Sequence, residues 1–380
     1  MKKILVINTK YREYGGEDSN ILEELKFLKQ YYKVEYLEYD NSEPLHVSDI
    51  LSFLFKLNIK SNLKLRKKLK KFNPDIVYIH NTWFKAGLGI FKILENFDCK
   101  VLVKVHNFRY FCTQSFSAKS HLNGENFCFK CGFKGVIFNR YFKESFLKSF
   151  FIILYSKKYL KIFRNNSIKI LVLNTFHKET LSSLEIPINK IEIFYNPLNL
   201  DSIGNIKYNP NSSYFVYAGR LSDSKGIIEL LESWKSADLT NKELRIIGQG
   251  EMTQLIQENL YEENIKFMGQ LSNEEVIDQI KYSKGVITAT KMQEGQPRIL
   301  NEASVLGVPS IFPKFGGMNE YFPKNYQFSF QQYNYKDLTS KILEFSESDN
   351  LIEVSEKLMS FTKKLLDANF LAVKFEKIVE

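Results

Sequence analysis

No apolar run in this chain of 380 residues is long enough to span a membrane. A transmembrane helix needs about 20 consecutive apolar residues, and the longest run here, at residues 146–155, is interrupted by Lys148. The N-terminal residues lead into a short strand-like segment without a small-residue cleavage site, so we expect no secretory signal. These absences predict a cytoplasmic protein.

Cysteine is scarce, with four residues in the chain, and a disulfide framework is not expected in the cytoplasm. Three of the four lie in one segment together with a histidine. The set is Cys112, His121, Cys128 and Cys131. Cys-x2-Cys with a further cysteine and a histidine has the ligand inventory of a structural tetrahedral zinc site. Free thiols are the alternative, and the sequence leaves both open.

Acidic residues are few in the first half of the chain. Residues 1–200 contain 33 Lys and Arg against 18 Asp and Glu, whereas residues 201–380 contain 20 against 25. A basic half indicates an anionic partner, which is a membrane surface or a nucleic acid. No motif that contacts bases in a DNA groove or stacks on RNA bases can be identified, so no nucleic acid partner is expected.

Two stretches carry most of this positive charge. Residues 53–72 place lysines along one side of a predicted helix, with leucines elsewhere, and residues 139–164 interleave Phe and Tyr with Lys and Arg. The lysines on that side are Lys56, Lys60, Lys64, Lys67, Lys68 and Lys71. Basic amphipathic helices with aromatic residues lie in the headgroup layer of anionic membranes. An ordinary solvated lysine face is the alternative.

The first half alternates strand and helix patterns. Apolar runs at residues 2–8, 34–39, 75–80 and 100–106 are separated by helical stretches, an order that predicts a parallel, doubly wound sheet. Gly15 and Gly16 lie in the loop after the first run, where glycine lets backbone N–H groups approach a phosphate. His80 and His106 end two of the runs, so both are expected at the edge of the sheet that binds ligands.

The second half follows a linker rich in Asn, Pro, Gly and Asp at residues 196–210. A strand at residues 214–218 leads into a glycine-bounded turn that holds Arg220 and Lys225. Arginine can bind a diphosphate through two N–H groups, and lysine acts as a point charge. The turn therefore predicts a diphosphate site, with ordinary surface cations as the alternative.

The stretch at residues 285–320 has the most specific pattern. A strand-like run is followed by a loop, an apolar-periodic helix that Gly307 ends, and another strand. The loop reads Glu294-Gly295-Gln296-Pro297. Pro297 suits the first helical turn, where free N–H groups favour an anion. Glu294 and Glu302 lie eight residues apart, and carboxylates accept hydrogen bonds from paired hydroxyls of a sugar or ribose. A ligand that has phosphate between two hydroxylated rings is a nucleotide sugar, and the pattern therefore predicts that class of ligand.

Glu-Gly-x-Pro, a second glutamate after seven residues and Gly316-Gly317 downstream resemble the retaining glycosyltransferases of family GT4. The resemblance covers essentially the whole chain, with its specific motifs in the second half. It implies the α/β GT-B fold, in which two Rossmann-like, doubly wound domains face each other across the active site. Residues 1–200 would form the acceptor-side domain and residues 201–360 the donor-binding domain. One C-terminal helix over residues 361–379 would cross back to the first domain, so that residues 361–380 would join that domain.

The resemblance also implies roles for individual residues. Glu294 would contact the donor sugar and Glu302 the ribose, while Arg220 and Lys225 would hold the diphosphate. The other donor-binding residues that it implies are Gly15, Gly16, Gly295, Gln296 and Pro297.

The histidine segments of the first half resemble the two histidine motifs of the same family. His106 would contact the transferred sugar or the acceptor, and His80 and Arg109 are further candidates for such a contact. Gln296 and Asn301 stand where relatives more often have apolar residues, so the donor pocket is expected to be more polar than usual.

The expected activity is transfer of a sugar, with retention, from a nucleotide-diphosphate donor to a hydroxyl, with UDP favoured over GDP. No Asp-x-Asp motif stands where it could seat a catalytic divalent ion, so no cofactor is expected in catalysis. No side chain is placed as a covalent nucleophile. This favours an internal-return mechanism, in which the acceptor attacks the sugar on the same face that the diphosphate leaves. The basic first half predicts a lipid-linked glycan acceptor, in bacterial surface polysaccharide assembly, and a peripheral position on the inner face of the cell membrane.

Three other classes share parts of this pattern. A nucleotide-sugar epimerase has the same two-domain architecture but needs no acceptor. A glycogen-type phosphorylase would need a lysine-bound pyridoxal phosphate. A non-catalytic membrane scaffold would bind lipid and would not depend on Glu294.

Overall fold

The computed structural model describes residues 1–11, 16–44, 58–108, 145–165, 167–198, 207–259 and 263–380, without the side chains of residues 147–149, 152, 153 and 259. The chain divides into two compact units. Unit 1 comprises Met1–Leu198 and Ala368–Glu380, and unit 2 comprises Asn199–Asp367.

Unit 1 is built on a parallel sheet of six strands. The strands are β1 (Lys3–Lys10), β2 (Lys33–Asp40), β3 (Ile76–Ile79), β4 (Lys100–Val105), β5 (Ile168–Val172) and β6 (Ile191–Ile193). Its described helices are α1 (Gly16–Tyr31), α2 (Ile59–Phe72), α3 (Gly89–Leu94), α4 (Phe146–Arg164), α5 (Thr175–Ser183) and α12 (Ala368–Val379). The order β2-β1-β3-β4-β5-β6 reverses direction between β1 and β3, which is where ligands bind in open sheets of this kind.

Helices cover both faces of this sheet because successive side chains of a strand point to opposite sides. In β1, Leu5 and Ile7 belong to one apolar core, which includes residues of α2, α3 and α4. Ile4 and Val6 belong to a second core with residues of α1 and α12. A strand buried on both faces reads as a continuous apolar run, as β1 does.

The C-terminal helix packs on the sheet of unit 1. The Phe375 ring lies 5.6 Å from that of Tyr32, and Lys2 Nζ donates to Glu376 Oε1 at 2.7 Å. The expectation of one helix from residue 361 to residue 379 was wrong. Residues 361–365 end a separate helix of unit 2, and α12 begins at Ala368 after Asp367, a residue type that favours the position before a helix.

Unit 2 also contains a parallel sheet of six strands. They are β7 (Tyr214–Ala218), β8 (Glu243–Ile247), β9 (Ile265–Gly269), β10 (Gly285–Ile287), β11 (Ser310–Lys314) and β12 (Ser329–Gln331). Its described helices are α6 (Ile227–Ala237), α7 (Thr253–Asn259), α8 (Asn273–Lys281), α9 (Arg298–Val305), α10 (Tyr335–Glu347) and α11 (Leu351–Leu365). The order β12-β11-β10-β7-β8-β9 reverses between β7 and β10. The predicted α/β class with two Rossmann-like sheets is confirmed.

The predicted end of α9 is confirmed in detail. Gly307 has φ +73°, its N–H donates to Ser304 O at 3.1 Å, and Val308 N–H donates to Ala303 O at 2.9 Å. These two bonds form a Schellman motif, which satisfies carbonyls that a helix end leaves unpaired. Pro297, however, is the N-cap rather than a residue of the first turn, with extended backbone at φ −72° and ψ 102°.

Helix α2 contains the described part of the first basic stretch. Its buried side is formed by Ser61, Leu65, Leu69 and Phe72. Two of its lysines contact β2, since Lys68 pairs with Glu35 at 2.6 Å and Lys64 donates to Glu38 O at 2.7 Å. Lys56 lies outside the described residues. None of the helices in the described part of the chain combines the length and apolar character that crossing a membrane requires.

Candidate functional site

In unit 2, two loops meet at the carboxyl ends of β7 and β10, the paired strands where the sheet order reverses. Gly226, at the end of the turn after β7, has φ +65°, and a Cβ there would lie 2.0 Å from Ala289 O in the loop after β10. Lys291 N–H donates to Ser224 O at 3.0 Å. Only glycine permits this approach, which fixes the two loops against each other.

This approach brings together a lysine and a glutamate that are far apart in sequence. Lys225 Nζ donates to Glu294 Oε1, with 29% of the lysine side chain and 22% of the glutamate side chain exposed. Thr290 Oγ1 donates to the same carboxylate oxygen at 3.2 Å. The predicted diphosphate-binding cation and the predicted sugar-binding carboxylate therefore touch, and both remain accessible to a ligand.

Arg220 lies in the same turn, and its side chain is exposed. Its carbonyl oxygen accepts a hydrogen bond from Tyr217 Oη at 2.9 Å. Burial raises the pKa of the Tyr217 hydroxyl, and the Glu294 carboxylate adds to this effect. A neutral tyrosine thus holds the backbone of the turn while the guanidinium projects from it.

Glu302 is buried in α9, with 4% of its side chain exposed. Arg298 Nε donates to its Oε1 at 2.7 Å, and 18% of the arginine side chain is exposed. An arginine in the first turn opposes the helix dipole, and arginine before glutamate is the less favourable order of an i,i+4 pair. The pair is therefore not explained by helix stability, and it orients a carboxylate in the second turn of α9.

Sequence reasoning missed Arg298, although its i,i+4 spacing to Glu302 was a usable signal. In the loop before it, Gly295 and Pro297 are buried and Gln296 is half-buried. Asn301 is 2% exposed, and neither end of its amide has a hydrogen-bond partner among the described residues. The polar pocket expected from Gln296 and Asn301 stays a prediction.

In unit 1, His80 and His106 directly follow β3 and β4, two paired strands of the sheet. His80 Nδ1 lies 2.9 Å from His106 Nε2, and the two ring planes are 22° apart. Burial is the main cause that holds the pKa of each ring well below its ordinary value. Both histidines are therefore neutral near pH 7.

A fully buried ion pair lies on the same sheet. Lys104 Nζ donates to Glu24 Oε1 at 3.0 Å and to Glu24 Oε2 at 2.9 Å, and both side chains are 0% exposed. Tyr78 Oη donates to Glu24 Oε1 at 2.7 Å. The Lys104 charge adds to the lowering of both histidine pKa values. This pair joins β4 to α1 across 80 positions, and no local signal in the sequence pointed to it.

Several predicted site residues cannot be placed. Those outside the described residues are Gly15, Arg109, Cys112, His121, Cys128 and Cys131. Gly16 begins α1, and a Cβ there would meet no atom within 4 Å, so no described neighbour requires glycine at this position. Cys99 is a free thiol whose pKa burial raises to about 11. Within the described part of the chain, no three potential metal ligands cluster.

Two parallel six-stranded sheets with flanking helices have the GT-B architecture of solved glycosyltransferases, and this fold together with a matching family model makes the class of protein a glycosyltransferase. More particularly, residues 202–364 match the family model described as glycosyl transferases group 1. The match includes the predicted donor-binding residues of unit 2. Among curated proteins, sequence comparison finds no match to the chain.

Solved structures share the fold over nearly the whole chain. HepE from Anabaena, in complex with UDP and glucose, is 13% identical, with 99% of each chain covered and a TM-score of 0.70. Sucrose-phosphate synthase from Thermosynechococcus elongatus is 12% identical, with 100% of this chain and 98% of that chain covered and a TM-score of 0.71. WaaB, a lipopolysaccharide outer core galactosyltransferase, is 17% identical, with 97% and 99% covered and a TM-score of 0.59.

Proposed function

We propose that this glycosyltransferase transfers a sugar, with retention, from a UDP-sugar to a hydroxyl of a lipid-linked glycan. The observation that carries the proposal is the contact between Lys225 and Glu294 where the strand order of unit 2 reverses. The oriented carboxylate of Glu302 lies close to Glu294 in sequence. A cation for the diphosphate and carboxylates for sugar and ribose hydroxyls match the chemistry of a nucleotide sugar. UDP is favoured over GDP because HepE, a structural neighbour, has been solved with UDP-glucose.

In the proposed reaction the bond between the sugar C1 and the diphosphate oxygen breaks. Lys225 and Arg220 neutralise the leaving diphosphate, a type of stabilisation that acts on charge as it develops. The diphosphate takes the Lys225 ammonium away from Glu294, whose carboxylate then accepts from the sugar hydroxyls.

The acceptor oxygen attacks C1 on the face that the diphosphate leaves, and the acceptor proton passes to a diphosphate oxygen. No described side chain is assigned as a covalent nucleophile, so the configuration at C1 is kept by this same-face return. Unit 1 is the proposed acceptor side, where His106 contacts the acceptor glycan.

Donor binding is testable by thermal unfolding in the presence of UDP, UMP, GDP and a panel of UDP- and GDP-sugars. A ligand that binds only the folded state stabilises it by about 2.7 kcal/mol at 100 times its Kd. We expect the largest rise in Tm with one UDP-sugar and a much smaller rise with UMP, which lacks the second phosphate.

Excess EDTA should leave that rise in Tm intact, because protein cations are proposed to replace a metal ion. A structural zinc at Cys112, His121, Cys128 and Cys131 would show instead as a lower Tm with EDTA in the absence of nucleotide. Equal, small shifts for every nucleotide, or a rise in Tm that EDTA abolishes, would contradict the donor assignment or its metal independence.

Helix α2 supports a membrane-linked acceptor. Two apolar side chains on it are exposed, Ile59 at 64% and Leu63 at 62%. Exposed Arg66, Lys67 and Lys70 lie on the same side of the helix, opposite its buried side. Apolar residues among cations are typical of helices that lie in an anionic lipid surface, and WaaB, a structural neighbour, acts on lipopolysaccharide by its name. We therefore propose that the protein works at the inner face of the cell membrane in surface polysaccharide assembly.

Vesicle co-sedimentation tests this surface. The variant Arg66→Glu/Lys67→Glu/Lys70→Glu is expected to weaken partitioning to anionic vesicles by about 100-fold or more, since each cation near such a surface contributes ~1 kcal/mol. Wild-type binding should also fall in 1 M salt, where screening shortens the range of electrostatic attraction to ~3 Å. The matched control, Lys324→Glu/Lys336→Glu/Lys364→Glu, changes three exposed lysines of unit 2 and should bind like wild type. Equal losses in both variants would rule out a specific role for α2.

A further inference from the structure

His80 and His106 share one hydrogen bond, and each neutral ring carries one N–H proton. The bond joins His80 Nδ1 to His106 Nε2. A neutral imidazole has one nitrogen that donates and one that accepts, so one ring must donate and the other accept. Burial keeps both rings neutral, and the nearby Lys104 charge acts in the same direction. Two arrangements remain, which differ in the position of both protons.

The second nitrogen of His80 decides between them. His80 Nε2 is buried and has no hydrogen-bond partner among the described residues. The ring packs against Tyr78, with centroids 4.5 Å apart, which limits its freedom to turn. Buried N–H groups without an acceptor are rarer in proteins than acceptors with an unused lone pair. His80 Nε2 therefore carries the lone pair, and the proton of His80 lies on Nδ1.

This placement fixes the proton of His106. His80 Nδ1–H donates to His106 Nε2, so the proton of His106 must lie on Nδ1. His80 is 3% exposed, whereas His106 is half-buried, so His106 is the ring that a ligand can reach. The reachable ring then offers an N–H donor rather than a lone pair.

We propose that His80 is a positioning residue that holds His106 as its Nδ1–H tautomer, so that His106 donates a hydrogen bond to a hydroxyl oxygen of the acceptor glycan. This step rests on the proposed function, in which His106 contacts the acceptor. It assigns to the buried His80 a role that operates through His106 alone.

Nitrogen-15 NMR of histidine-labelled protein without donor tests the tautomer directly. The chain has five histidines, and a His106→Gln variant identifies the His106 signals. Wild type should show His106 protonated at Nδ1. His80→Asn retains an N–H donor near the Nδ1 position and should keep that tautomer, while His80→Phe should shift His106 toward the Nε2–H form that free imidazole side chains favour. A wild-type His106 protonated at Nε2 would overturn the proposal, even if His80→Phe fails to fold.

Kinetics with the identified donor supply a second readout. His80→Phe is expected to lower kcat/KM about tenfold, the effect of losing one neutral hydrogen bond, and His80→Asn should stay within about threefold of wild type. Equal losses in the two variants would indicate a packing role and contradict the proposal. If wild type transfers no sugar, the proposed function fails, while the NMR measurement still decides the tautomer.

Discussion

Replacing Lys225 with methionine is expected to lower the rate of sugar transfer by about 100- to 1000-fold, the usual effect of removing one preorganised group that stabilises developing charge. The leaving diphosphate would lose an ammonium that the turn after β7 holds against the loop after β10. Steady-state kinetics with the donor identified by thermal unfolding measure the loss in kcat and kcat/KM.

Lys291→Met is the matched control. Lys291 lies in the facing loop, and its ammonium pairs with Asp223 at 2.7 Å and with Glu229 at 2.5 Å, so it is committed to carboxylates of the protein. The control should keep a transfer rate close to that of wild type. A Lys225→Met enzyme within about threefold of wild type would contradict the assignment of Lys225 to the diphosphate.

A double variant separates a ligand-binding role from a structural one. If Lys225 and Glu294 serve only to pair with each other, Lys225→Met/Glu294→Gln should recover much of the loss caused by either change. If each binds a different part of the donor, the double variant should be no more active than the worse single variant, because groups that act as a unit do not add.

Breaking the buried ion pair of unit 1 is expected to have the largest effect on stability. Glu24→Leu leaves the Lys104 ammonium buried without its carboxylate, and removal of one partner of such a pair typically costs about 3–5 kcal/mol of the free energy of unfolding. Burial already lowers the pKa of Lys104, against the opposing attraction of Glu24. Without the carboxylate, the ammonium should lose its proton at a still lower pH.

Tryptophan fluorescence can follow this unit separately. The chain has two tryptophans, Trp83 in unit 1 and Trp234 in unit 2, so Trp83 reports urea unfolding of unit 1 in a Trp234→Phe background. Glu24→Leu/Lys104→Met should recover most of the loss, because apolar residues of similar volume replace buried ion pairs well. If Glu24→Leu is as stable as its Trp234→Phe parent, the ion pair is not as buried from water as the structure implies.

The sequence predicted the architecture because its signals are local. The apolar run of β1 and the glycine at position 307 each report on a few neighbouring residues, and both predictions are confirmed. The meeting of Lys225 with Glu294 could be expected only from the resemblance to GT4 enzymes, since it depends on a 69-residue separation closed by the approach of Gly226 to Ala289.

Other features could not be read from the sequence. The pairing of Lys104 with Glu24 depends on how α1 packs on the sheet, and the hydrogen bond between His80 and His106 depends on the register of β3 and β4. The single terminal helix was a wrong prediction because the apolar periodicity continues across residues 366 and 367 while the backbone does not. The sequence placed lysines along one side of α2, but it carried no signal that Lys64 and Lys68 contact β2.

The most direct test of sugar transfer is analysis of the products by proton NMR, with the best-protecting UDP-sugar and a lipid-linked glycan extract as substrates. The account predicts one UDP released for each new glycosidic bond, with the anomeric configuration of the donor kept in the product. A changed nucleotide sugar without release of UDP, which is the product of an epimerase, would contradict transfer. A linkage of inverted configuration would contradict the same-face return.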